Sequence, residues 1–156
     1  MSDMPKTVRI NEEGPREGFQ IESGAIPTAR KIEALSLADT MAWATPASIK
    51  RILGAVRERY PDLRVSLHLH DTRGMGIANA YAGLEMGVDM YDASVAGLGG
   101  CPFAGHKGAA GNVCTEDLAF MCEEMGIVTG IDLERLLECA RLAEGMRVFG
   151  PVFMRL

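Results

Sequence analysis

Two histidines separated by one residue stand near the middle of the chain, within residues 65–74, Val-Ser-Leu-His-Leu-His-Asp-Thr-Arg-Gly. The alternation has the period of a strand, so His68 and His70 project to the same side. Two imidazoles about 7 Å apart along one strand face can converge on a single ion. Asp71 follows where the strand should run out into a loop, and parallel α/β proteins bind their ligands at the carboxyl ends of strands. A lone strand histidine is more often a structural hydrogen-bonder. His-x-His-Asp closing an apolar strand points instead to metal or acid–base chemistry.

The elements that must hold this stretch form a series. Residues 7–12 read as a short strand with Val8 and Ile10 on one face, ending in a charged loop over 13–18 made of turn-forming residues. A helix is expected after Ile26-Pro27, running through Lys31 towards Leu35. Residues 36–41 then look like a strand, with almost nothing between the two. Helix-to-strand loops usually take about 2–6 residues, and a helix of roughly eight is short for a parallel crossover. From there the pattern is regular. Thr45 is a plausible N-cap and Pro46 a first-turn residue for a helix to about Tyr60, burying Ile49, Ile52, Leu53 and Val56. After the strand at 65–70 comes a helix from about Ile77, with Ala80, Tyr81 and Leu84 inward and Gly87 as its stop. A strand over 90–96 leads into residues 97–111, which carry six glycines. A helix from Thr115 presents Leu118, Met121, Cys122 and Met125 and stops at Gly126. The last helix, capped by Asp132, is expected to bury Leu133, Leu136, Leu137 and Ala140. Repeated strand–helix units imply a parallel sheet or a (β/α) barrel, and about four strands are half of an eight-stranded barrel.

Length and composition narrow the function classes. A chain of 156 residues supports one domain with a real core. A net charge of −5 without a basic cluster argues against nucleic acid and gives no reason to expect an anionic membrane surface. The four cysteines, at 101, 114, 122 and 139, form no CxxC pair. The N-terminal residues show no apolar signal core, and no apolar run approaches the roughly 20 residues of a membrane span. A cytoplasmic protein with reduced thiols is the expectation.

Four segments together resemble one family. They are 11–20 (Asn-Glu-Glu-Gly-Pro-Arg-Glu-Gly-Phe-Gln), 37–40 (Leu-Ala-Asp-Thr), 68–72 (His-Leu-His-Asp-Thr), and 94–102 (Ser-Val-Ala-Gly-Leu-Gly-Gly-Cys-Pro) with Gly111-Asn112. The chain resembles 3-hydroxy-3-methylglutaryl-CoA lyase, within the metal-dependent TIM-barrel lyases and synthases; the Gly-Leu-Gly-Gly-Cys-Pro run separates the lyase from the synthases. The resemblance implies a truncated (β/α) barrel over residues 1–156 that keeps the family's first, sixth, seventh and eighth strands. The block between would be missing near Leu35–Ser36. Since the eighth strand of a closed barrel pairs with the first, the survivors should be neighbours, as a half-barrel with two open edges and one exposed apolar face.

The resemblance also implies a site. His68, His70, Asn112 and Glu17, where the family usually has Asp, would hold Mg²⁺ or Mn²⁺. Arg16 would stabilise the enolate of the departing acetyl-CoA, and Cys101 would protonate it. Asp39, His68 and Glu17 are the candidates for the base that takes the substrate's hydroxyl proton. The implied reaction is retro-Claisen cleavage of an acyl-CoA substrate to acetoacetate and acetyl-CoA. The Glu17 substitution leaves open a related acyl-CoA lyase or condensing enzyme, and the missing block leaves open an inactive remnant. The open edges imply a homo-oligomer. His106 and Lys107 read as exposed loop residues.

Overall fold

The structure is a computed structural model, which describes residues 4–12, 34–99 and 110–145. Its strands are β1 (Arg9–Glu12), β2 (Ala34–Asp39), β3 (Arg64–Leu69) and β4 (Met90–Ala93). Its helices are α1 (Pro46–Arg59), α2 (Gly76–Glu85), α3 (Thr115–Glu124) and α4 (Leu133–Gly145). The four strands form one sheet in the order β1-β4-β3-β2, and every pair is parallel. The first and last strands are thus neighbours, as expected for four consecutive staves of a (β/α) barrel.

The register separates two faces. Ile10, Tyr91, Leu67 and Leu37 share one row, and Asn11, Asp92, His68 and Ala38 the next. The first row faces the helices: the fully buried Tyr91 donates its phenol hydrogen to the Ala80 carbonyl of α2 at 3.1 Å. Leu67 and Tyr91 also press on Gly83 so closely that a Cβ there would meet them at 2.5 and 2.7 Å. Leu53, Leu67, Leu69, Leu84 and Leu118 complete a core between sheet and helices. The opposite face differs from expectation. Arg9, Asn11, Ser36, Ser66, His68 and Asp92 alternate onto it beside Met90 and Ala38, so the face expected to be apolar is mainly polar.

Local chemistry explains the element ends. Thr45 and Ser48 form a reciprocal capping box at the start of α1, with Pro46 in the first turn. Gly87 and Gly126, just past α2 and α3, take φ of +72° and +73°. Asp132 accepts the Arg135 amide and begins α4.

Several boundaries and faces depart from the sequence reading. Leu35, assigned there to a helix end, lies inside β2 opposite Val65, so the expected junction falls within a continuous strand. The helix expected after Pro27 lies largely outside the described residues. The strand expected over 90–96 ends at Ala93. Beyond it, a 3₁₀ turn at Val95–Gly97 contains Ala96 at φ +55°, a conformation no strand accommodates. Ile52, Tyr81 and Leu137, expected inward, are exposed. Ile49 and Leu53 form a narrow i, i+4 stripe with Ile52 at its margin. In α4, which among the described residues packs mainly on α3 and the 3₁₀ turn, Ala140 is buried while Leu133 and Leu136 are half-buried.

Candidate functional site

The polar residues gather at the carboxyl end of the sheet. His68 and His70 extend from β3 with ring centroids 5.0 Å apart and planes at 68°. His68 Nδ1 lies 3.3 Å from Asp92 Oδ2 on β4, and Asn11 on β1 donates from Nδ2 to Asp92 Oδ1 at 3.0 Å. His70 is buried, and its Nδ1 lies 3.2 Å from the Asp39 carbonyl. A carbonyl only accepts, so that contact places the His70 hydrogen on Nδ1 and the lone pair on Nε2.

Asn112 arrives from the far side of the glycine-rich segment. Residues 111–115 run across the strand ends: Val113 N donates to Leu69 O at 2.8 Å, Asp71 N to Gly111 O at 3.1 Å, and Ser94 N to Val113 O at 3.1 Å. His70 and Asn112 pair as an antiparallel bridge. Only glycine fits at 111, because a Cβ would collide with the Gly97, Leu98 and Gly99 carbonyls. Asn112 is buried, and its side-chain carbonyl oxygen has no hydrogen-bond partner among the described residues. A buried acceptor left unpaired is costly, and such groups mark places where a cation or a donor binds.

Asp39 shapes the loop after β2. Its oxygens accept from the Trp43 amide at 2.9 Å and the Ala44 amide at 3.0 Å, around Ala42 at φ +50°. Arg73 donates to the Met41 and Ala42 carbonyls and lies 5.9 Å from the ring centroid of Trp43, which is 66% exposed. Asp71 accepts from Gly76 N and ties the start of α2 to the end of β3.

The sequence reading missed three residues. Asn11 and Asp92 are polar mid-strand positions of the parity that carries His68, and that parity was the available signal. The third, Glu116, is buried and holds Ala96 N with both oxygens, at 2.9 and 3.1 Å, so it braces the turn that leads into the glycine-rich segment. Cys114 donates to the same carboxylate at 3.1 Å, and burial, with smaller contributions that include Glu116, pushes its thiol up to about 12. Of the residues named from the sequence, the structure brings together His68, His70, Asn112 and Asp39. Arg16, Glu17 and Cys101 lie outside the described residues. Among the described residues no three His, Cys, Asp or Glu side chains cluster as a metal site. Asn112, whose side-chain oxygen is buried without a partner among the described residues, pairs through its backbone with His70.

A half-barrel with a polar site at its strand ends defines a class, and comparison with known proteins defines the family. The HMGL-like family model matches residues 26–143, so the chain belongs to that family. It is 45% identical over 113 residues to a hydroxymethylglutaryl-CoA lyase of Bacillus subtilis, a match covering 72% of this chain and 37% of that protein. With the human mitochondrial hydroxymethylglutaryl-CoA lyase it shares 49% identity over 104 residues, 67% of this chain and 31% of that one. The solved HMG-CoA lyase of Acinetobacter baumannii, in complex with coenzyme A and 3-methylmalate, superposes with a TM-score of 0.67. That match is at 46% identity and covers 74% of this chain and 37% of that chain. The chain spans about a third of the length of these relatives. No helix among the described residues is long and apolar enough to cross a membrane.

Proposed function

We propose that this chain carries the metal-binding strands of a carbon–carbon lyase of the hydroxymethylglutaryl-CoA type. The observation that carries the reading is the juxtaposition of His68, His70 and the unpaired buried oxygen of Asn112 at the carboxyl end of the sheet. Two nitrogen donors and one neutral oxygen suit a divalent ion, and a carboxylate from Glu17 would supply the charge that Mg²⁺ or Mn²⁺ favours. When bound, such an ion would supply Lewis acidity towards the hydroxyl of a 3-hydroxyacyl substrate.

The protein's own groups divide the remaining work. His70 is oriented by the Asp39 carbonyl, so Asp39 holds a ligand in place through its backbone. With both its oxygens engaged by loop amides, the Asp39 side chain serves as an anchor for the turn, and His68 and Glu17 stand beside it as candidates for the base. Arg16 would stabilise the enolate and Cys101 would return its proton. The acyl-CoA substrate is inferred from the relatives, and a reducing compartment such as the cytoplasm suits the free thiols of Cys114, Cys122 and Cys139. We read the chain as a single truncated barrel domain joined near Leu35–Ser36, whose edge strands β1 and β2 favour self-association.

Calorimetry with Mn²⁺ on the chain and on His68→Ala tests the reading. About one ion per chain, abolished by the substitution, is the expected result. Binding indifferent to His68 would overturn it. Cleavage assays on 3-hydroxy-3-methylglutaryl-CoA then separate a working lyase from a chain that binds metal without turnover.

A further inference from the structure

We propose that Asn11, acting through Asp92, is a positioning residue that sets the tautomer and the aim of His68. The inference rests on the metal-site reading above for its purpose, but its structural content is independent of it. Asn11, Asp92 and His68 occupy one register row across β1, β4 and β3, so their side chains leave the sheet side by side on the same face. The links are continuous: Asn11 Nδ2 donates to Asp92 Oδ1 at 3.0 Å, and Asp92 Oδ2 lies 3.3 Å from His68 Nδ1. The Asp92 and His68 side chains are 13% and 23% exposed, so water competes weakly for these bonds.

Chemistry gives the string a direction. An ionised carboxylate only accepts, so the amide hydrogen comes from Asn11 and the ring hydrogen from His68 Nδ1. The lone pair of His68 then lies on Nε2, the nitrogen farther from the backbone. A histidine side chain without such a partner favours the opposite tautomer, with its hydrogen on Nε2. Asn11 matters because it binds the carboxylate oxygen turned away from the ring and so helps keep the other oxygen facing His68 Nδ1. The two histidines therefore reach the same state by different means. His70 is set by a backbone carbonyl, which substitution cannot remove, and His68 by two side chains in series.

That difference supplies an internal control. The chain has three histidines, so long-range ¹H–¹⁵N spectra of the labelled, metal-free protein at one alkaline pH resolve each ring. In the wild type, His68 and His70 are both expected with hydrogen on Nδ1. In Asn11→Ala, His68 should shift towards the Nε2–H form while His70 stays unchanged. Mn²⁺ affinity should fall about tenfold, the usual scale for losing an outer-shell partner. Asn11→Gln, which keeps an amide donor, should restore much of both signals. A purely structural Asn11 would lower the melting temperature in Asn11→Ala and leave the His68 tautomer untouched, and that result overturns the proposal. So does a wild-type His68 with hydrogen on Nε2. If Asn11→Ala fails to fold, Asn11→Ser, polar but too short to bridge, reads the same shift. A wild-type protein with the expected tautomers and no Mn²⁺ binding would support the positioning role and refute the lyase reading alone.

Discussion

Asp39 accepts two backbone amides from a loop that also contains a left-handed alanine, so its carboxylate acts as a cap for that turn. Asp39→Ala should cost that turn about 1–2 kcal/mol, the range seen for lost side-chain caps, measured as a lowered urea midpoint of the Trp43 fluorescence. The thiols have a pH signature. Burial pushes Cys114 up to about 12 and Cys122 up to about 11, from an ordinary value of 9.0. The native state therefore keeps protons that the unfolded chain releases above pH 9. This contribution is fully present below pH 9 and is lost as pH rises through about 11 to 12. Urea unfolding at a series of alkaline pH values should show stability falling across that window, and Cys114→Ala should flatten the fall. Below it, the exposed Cys139 should react with a thiol reagent well before Cys114 or Cys122.

At the scale of elements, two glycines carry the packing that brings strands and loops together. Gly83→Ala drives a methyl into Leu67 and Tyr91, and overpacking of this kind costs about 1–3 kcal/mol. Gly111→Ala meets three backbone carbonyls, which cannot swing aside as a side chain can. It should displace Asn112 and weaken Mn²⁺ binding more than it lowers the melting temperature, a contrast calorimetry and thermal melts read directly. Much of this scaffold was legible beforehand. The starts of α1 and α3 and the glycine stops of α2 and α3 follow from caps and periodicity, whereas the neighbouring of β1 and β4 was implied only by the family resemblance. The carboxyl-terminal half of the strand expected after Met90 was not legible. Ala96 turns there because Glu116, twenty residues on, grips its amide, and no local pattern announces so distant a partner. His68 and His70 were legible because two imidazoles on one strand face are rare by chance. Asp92 was not, since one aspartate in a short strand resembles any solvated charge until the register sets it beside His68.

For the molecule as a whole, the sheet's two faces have opposite characters: a packed apolar one under the helices and a polar one bearing the site. Stability therefore resides on the helix side, and Leu67→Ala should cost about 2–5 kcal/mol in denaturant unfolding. The polar face answers to chemistry rather than packing, so substitutions on it should change ligand affinity more than melting temperature. Trp43 belongs to neither face. It is the chain's single tryptophan and stands mostly in water above Arg73, on a turn tied to the ends of β2 and β3. Its emission is consequently an optical gauge of that turn and not of the core. Heated or titrated with urea, the protein should dim or redden at Trp43 as the Asp39 turn releases, ahead of the loss of helical circular dichroism. An investigator following fluorescence alone would mistake the unlatching of one loop for the melting of the fold.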